Sequence, residues 1–185
     1  MEMRQIVCLA GLGALLACPA WSDIINGSFE TSDFTGWSVG AQSWYNEALV
    51  VPGGTDGDWH AFIHLWSNGN LHVAQNFDFT AGPYALAFDA WIEGDAHAVA
   101  SVWEHTTAQS VVDFGPTPTT YVLDLSRYSN QTLAFAFEVS TDRDTDEGAG
   151  HLDNVRIVEI PEPGTLMMLS FGLVTCAVRI RRSVL

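Results

Sequence analysis

Lysine is absent from this chain, and its 7 basic residues are all arginine against 22 acids. Cysteine is almost as scarce. Cys8, Cys18 and Cys176 are the 3 present, each inside an apolar segment near one end. The stretch between those ends therefore has no thiol to oxidise or to ligate a metal, which excludes a disulfide framework and leaves stability to a buried core. The 138 residues from Asp23 to Ile160 are enough for one such core and imply one domain. They hold 20 acids against Arg127, Arg143 and Arg156, a net charge of −17. Such a surface repels nucleic acid and anionic lipid and argues against both as partners. It suits solubility outside the cell, and equally the capture of divalent cations.

A sustained helical period is also missing between the ends. Short alternating runs take its place, punctuated by Gly, Pro, Asn and Asp. Trp59, Ala61, Ile63 and Leu65 alternate with His60, Phe62, His64 and Trp66, and Ser67-Asn68-Gly69-Asn70 follows as a turn. Leu71, Val73, Phe77 and Phe79 form a second pattern, and Leu86, Phe88, Ala90 and Ile92 a third, opposite Asp89, Trp91 and Glu93. Val99 to His105 and Tyr121 to Leu125 continue the series, and Leu133, Phe135, Phe137 and Val139 alternate most cleanly. Evenly spaced strands with turn chemistry between them predict an all-β jelly-roll β-sandwich over residues 23–160.

The two ends read differently. Residues 1–22 have the form of a signal peptide: Arg4, an apolar run from Ile6 to Ala17, then small residues at Ala20 and Ser22 for cleavage. Leu15-Leu16-Ala17-Cys18 imitates a lipoprotein box, but Leu16 is an unusual residue in its slot, and simple cleavage is the preferred reading. Residues 161–185 begin with Pro161, Glu162 and Pro163, continue as an apolar run from Leu166 to Val178, and end on Arg179, Arg181 and Arg182. Two prolines stop any preceding strand, and the arginines favour the cytoplasmic side of a membrane-held helix. The run is short beside the roughly 20 residues a bilayer needs, so a buried terminal helix is the rival reading. The order of proline pair, apolar helix and arginine cluster resembles the PEP-CTERM sorting signal of Gram-negative bacteria. That resemblance implies export across the inner membrane, exosortase and the export machinery as partners, and a membrane contact through the C-terminal helix before processing. The destination it implies is the cell surface, outer envelope or extracellular matrix, among producers of exopolysaccharide.

Asn26-Gly27-Ser28-Phe29-Glu30 opens the domain, with Gly36-Trp37 soon after, and His151-Leu152-Asp153-Asn154-Val155 closes it. With Pro118 to Leu125 between, these motifs resemble carbohydrate-binding-module-like jelly rolls of the galactose-binding type. Such domains often tie their first and last strands with a structural Ca²⁺, and the matching positions here are Glu30 and Asp153. Ca²⁺ takes 6–8 oxygens, so two carboxylates with backbone groups would serve. The bland alternative is a surface Glu30 and an Asp153 that bonds a turn. Asp142, Asp144, Asp146 and Glu147 imitate the start of a calcium loop, but Glu147 stands where the EF-hand needs glycine, so a solvated hairpin tip is preferred. Gly53 to Asp58 likewise reads as a turn.

Sugar binding needs flat aromatic faces with carboxylates or amides beside them. Trp37 and Trp59 are in phase with apolar residues and are expected in the core. Trp91, between Asp89 and Glu93, and Trp66, in phase with His60 and His64, are expected on an outward face. Trp66, Asp89, Trp91 and Glu93 are therefore the candidate carbohydrate-binding residues, provided the two rings share one concave face. The six histidines read as scattered surface residues. His60 and His64 lie about 13 Å apart at strand rise, too far to chelate one ion alone. No nucleophile triad, phosphate loop or cysteine site is present. The expected function is non-catalytic binding of glycan or exopolysaccharide at the cell surface or in the matrix, with calcium as a possible structural cofactor. A structural or adhesive biofilm-matrix protein with no specific sugar site is the alternative.

Overall fold

The computed structural model describes residues 24–40, 45–104, 107–111, 114–143 and 146–160. The signal peptide, the sorting motif at Pro161, Glu162, Pro163, Arg179, Arg181 and Arg182, and the terminal helices expected from the sequence fall outside them. Among the described residues no helix is long and apolar enough to cross a membrane.

Ten strands follow one another: β1 (Ser38–Val39), β2 (Asn46–Pro52), β3 (Trp59–Leu65), β4 (Gly69–Phe79), β5 (Tyr84–Gly94), β6 (His97–Glu104), β7 (Thr107–Val111), β8 (Thr119–Asp124), β9 (Gln131–Thr141) and β10 (Gly148–Glu159). They form two five-stranded sheets, in the orders β1-β4-β9-β6-β7 and β2-β3-β10-β5-β8. Every pairing is antiparallel. The all-β sandwich is thus the observed fold.

Alternation explains the layering. In β9, Leu133, Phe135, Phe137 and Val139 are fully buried while Thr132 and Glu138 are exposed. β4 does the same with Leu71, Val73, Phe77 and Phe79. From the opposite sheet Ile63, Leu65, Leu86, Phe88 and Leu152 complete the core. Phe135 packs 5.3 Å from Phe88 and 6.1 Å from Trp37, so one ring joins both sheets to the N-terminal segment. Gly150 sits where the sheets approach closely; a Cβ there would land on the Val139 side chain. The N-terminal segment is fastened by Gln75, which accepts from the Ile25 amide at 2.7 Å and donates to its carbonyl at 2.8 Å.

Removal of the central ring should be expensive. Phe135→Ala is expected to cost about 3–5 kcal/mol, read as a lower urea midpoint with an unchanged m-value. A loss under about 1 kcal/mol would contradict the central place given to this ring.

Candidate functional site

β10 lies between β3 and β5, and that placement gathers residues remote in sequence. His151 pairs with Phe62 on one side and Trp91 on the other; Ala149 pairs with His64 and Glu93; Asp153 pairs with Asp89. All of these project from the outer face of the second sheet. Trp91 faces away from the core, but it is only 7% exposed. His151 stacks on it at 4.4 Å with the rings 7° apart, and His60 packs 5.0 Å away. The sequence expectation of a shared open platform for Trp66 and Trp91 is therefore corrected. Trp91 is covered by imidazoles, while Trp66 stays 42% exposed, edge-on to His64 at 4.3 Å.

The histidines correct a second expectation. His60 and His151 are buried rather than scattered on the surface, and His60 Nε2 lies 2.9 Å from His151 Nδ1. Burial pushes His60 down, and burial with the neighbouring His60 pushes His151 down to about 4. The cause is nonlocal: only the β3–β10–β5 order stacks these rings, and no period in the sequence reports strand order.

The same strand carries the acidic cluster. Asp153 is fully buried; its Oδ2 accepts from the Thr55 amide at 2.6 Å, the Asp56 amide at 3.0 Å and the Thr55 hydroxyl at 2.9 Å. Thr55 Oγ1 is also 2.7 Å from Asp89 Oδ2. Asp89 further accepts from Thr120 at 2.5 Å and from Asn154 at 3.1 Å. It is thus a buried structural acid, and not the exposed sugar ligand expected from the sequence. Burial raises Asp153, against its amide hydrogen bonds; burial raises Asp89 too, but the bonds from Thr120, Thr55 and Asn154 outweigh it and leave Asp89 low. One hydroxyl hydrogen cannot serve two carboxylates. A proton on Asp153, or a cation, completes the pair.

Glu30 grips the other end of the same loop, accepting from the Asp58 and Trp59 amides, both at 2.9 Å. Gly57 has φ +93°, and a Cβ there would collide with the Glu30 carboxyl; one on Gly54 would come 2.9 Å from Asp153 Oδ2. The segment from Gly53 to Asp58 is therefore a turn cradled between the two carboxylates singled out for calcium. Among the described residues no three His, Cys, Asp or Glu side chains converge as a metal-binding group. The second acidic run is not the expected hairpin tip: β9 and β10 on either side of it belong to different sheets, so it connects the two layers, with Arg143 N donating to Asp146 Oδ2 at 3.1 Å and Asp146 N to Arg143 O at 3.0 Å.

The first sheet presents an outer face that sequence reasoning missed. Ser38 pairs with Ala74, Ala74 with Ala136, Ala136 with Ser101 and Ser101 with Ser110, so one row of short side chains crosses all five strands. At a strand spacing of about 4.8 Å the row is about 19 Å long. Asn76, Ala134 and Trp103 pair in the row on one side, and His72, Glu138 and Val99 in the row on the other. Trp103 is 46% exposed, and its Nε1 donates to Ser101 Oγ at 2.6 Å, which fixes the indole against the row at Ser101, itself only 5% exposed. The only signal for it was Trp103 falling out of phase with Ala98, Ala100 and Val102.

Residues 159–182 match the PEP-CTERM protein-sorting motif. The chain carries that tag. It marks the protein for export and sorting to the cell surface. The folded part resembles solved structures at low identity. TmCBM61 in complex with β-1,4-galactotriose is 17% identical with a TM-score of 0.62, over 74% of this chain and 97% of that one. The enzymatically active domain of bacteriophage CBA120 tailspike protein 4 gives 15% and 0.57, over 73% of this chain and 21% of the other. A structure of carbohydrate-binding modules from the β-sandwich superfamily gives 11% and 0.52, over 71% and 60%. These likenesses establish the fold of the PEP-CTERM protein's domain. No curated protein matches it.

The depressed histidines set a pH response for the β-sandwich. Above the unfolded value near 6.5 both states hold His151 neutral, and it contributes nothing. As pH falls from there to about 4, only the unfolded chain takes up the proton, so stability is lost. The melting temperature is expected to fall across that window and to fall less in His151→Gln. Identical slopes in the two proteins would contradict the buried stack.

Proposed function

We propose that this is an exported, non-catalytic glycan-binding protein of the cell surface or extracellular matrix, handled by an exosortase. It holds a neutral polysaccharide, the producer's own extracellular polysaccharide, along the channel of the first sheet. One observation carries the reading: Trp103, exposed and pinned by Ser101, flanks a floor of Ser38, Ala74, Ala136 and Ser101 long enough for several sugar rings. A pyranose ring stacks on an indole face, and side chains such as Asn76, His72 and Glu138 pair its hydroxyls. Charge chooses the class of glycan. The domain's arginines lie elsewhere: Arg127 over the Tyr128 ring, Arg143 in the connection from β9 to β10, Arg156 on the Asn154 carbonyl. With Glu138 on the rim and no cation to meet a uronate, anionic chains are disfavoured. The likeness to TmCBM61, whose structure holds β-1,4-galactotriose, agrees with a neutral ligand. The apolar tail after Pro163 holds the protein at the membrane until processing.

Calcium belongs to the same proposal. Glu30 and Asp153 flank one loop; Arg156 offers Asp89 a counter-charge, whereas the buried Asp153 carboxylate is met by hydrogen bonds and not by a positive charge. A Ca²⁺ held by Glu30, Asp153 and loop carbonyls would supply that charge and fasten the first segment to β10. CaCl₂ is expected to raise the melting temperature, EDTA to lower it, and Glu30→Gln to abolish the response. No shift in wild type would refute calcium.

Isothermal titration with neutral oligosaccharides tests the glycan site. Trp103→Ala is expected to weaken binding tenfold or more, since burying one aromatic ring contributes about 1.5–3 kcal/mol. Trp66→Ala should leave it unchanged. No binding to any neutral glycan would favour the matrix protein without a sugar site.

A further inference from the structure

The opposite sheet holds a second, chemically distinct pocket. It has a volume of about 310 Å³ and is lined by Phe62, His64, Glu93, Gly94, Glu147 and Ala149, among others. Gly94 and Gly148, paired across β5 and β10, close one end of it, where a Cβ on either would collide with neighbouring backbone. One wall is aromatic, where the Phe62 and His64 rings stack at 5.5 Å and 24°; exposed Trp66 lies outside the lining and abuts His64. Its rim is acidic. The Glu93 and Glu147 side chains are each 64% exposed, and the contacts that mark them are to imidazoles: Glu147 Oε1 to His64 Nε2 at 3.2 Å, Glu93 Oε1 to His151 Nε2 at 3.6 Å. The nearby guanidinium of Arg143 lines the neighbouring cleft beyond Gly94, among Asp95, Asp142 and Asp146.

A separate observation points to a missing ligand. His151 is 7% exposed, and its Nε2 is buried without a hydrogen-bond partner, directed towards Glu93 at the pocket. A buried polar nitrogen left unpaired carries a desolvation cost that an incoming polar group removes.

We propose that this pocket binds an amino sugar, its protonated amine held between Glu93 and Glu147, its ring against Phe62 and His64, and the next sugar of the chain reaching exposed Trp66 beside His64. The ammonium offers three donors to two carboxylates, charge-assisted bonds stronger than neutral ones. A cation beside aromatic faces gains further by cation–π attraction. An anionic sugar is repelled by the same rim. The pocket lies on the outer face of the second sheet, away from the channel beside Trp103, so one domain would hold an amine-bearing chain on one side and a neutral chain on the other. Such a protein cross-links two polysaccharides. The pocket itself does not depend on the channel reading.

Titration of the full chain with a glucosamine tetramer, its N-acetylated counterpart and spermidine separates the chemistries. The glucosamine tetramer is expected to bind at least tenfold more tightly than either. Glu93→Gln with Glu147→Gln should remove that preference, and Trp66→Ala should weaken it, while Trp103→Ala leaves it intact. Thermal melts of the variants show that each is folded. Equal binding of the N-acetylated tetramer, or undiminished binding by the double Gln variant, overturns the amine site. Spermidine binding as tightly as the sugar overturns the ring's part in it. Loss of neutral-glycan binding in Trp103→Ala, with the amine site intact or absent, reads on the channel alone.

Discussion

The carboxylate of Asp153 has no exposure to water, and a buried charge must be met by hydrogen bonds, a proton or a cation. Loop 53–58 meets it: the Thr55 and Asp56 amides and the Thr55 hydroxyl converge on one oxygen, and the Asn154 amide takes the other at 2.7 Å. The same loop offers its far end to Glu30, so the beginning of the domain is tied to its last strand. No disulfide is available for that task. β10 is thereby held between β3 and β5, and both the imidazole stack on Trp91 and the pocket beside Glu93 follow from that position.

Much of this fold was legible in the sequence because burial in an antiparallel sheet leaves a period of two. Leu133, Phe135, Phe137 and Val139 in β9 are the clearest case, and Leu86, Phe88 and Ala90 in β5 another. Glu30 and Asp153 were singled out through motifs at the two ends, and both accept hydrogen bonds from the one loop 53–58. What the sequence did not carry was strand order. Phase alone turned Trp91 outward, yet only the neighbouring His151 and His60 decide that it is covered. Asp89 looked like an exposed acid beside a tryptophan until Thr55, Thr120 and Asn154 arrived from three other segments. Trp103 passed unnoticed because its worth depends on Ala74, Ala136 and Ser101 being short on adjacent strands, a coincidence across the sheet that no window of sequence contains.

The two outer faces now differ in kind. The first is a long open channel with an indole at its side and no cation, suited to the length of a neutral chain. The second is a confined acidic pocket with aromatic walls, suited to one charged sugar. The export tag on the same chain marks both faces for the cell surface. Asp153 and Asp89, which hold the second sheet's loops, are buried, whereas Glu93 and Glu147 at the pocket rim are exposed.

The channel is the central claim, and chemical-shift mapping during titration with a neutral β-linked oligosaccharide tests it most directly. The account requires the largest changes at the Trp103 indole N–H and at the amides of Ala74, Ser101 and Ala136, with the amides of Phe62, His64 and Glu93 unmoved. Changes confined to the second sheet, or none at saturating ligand, would contradict it.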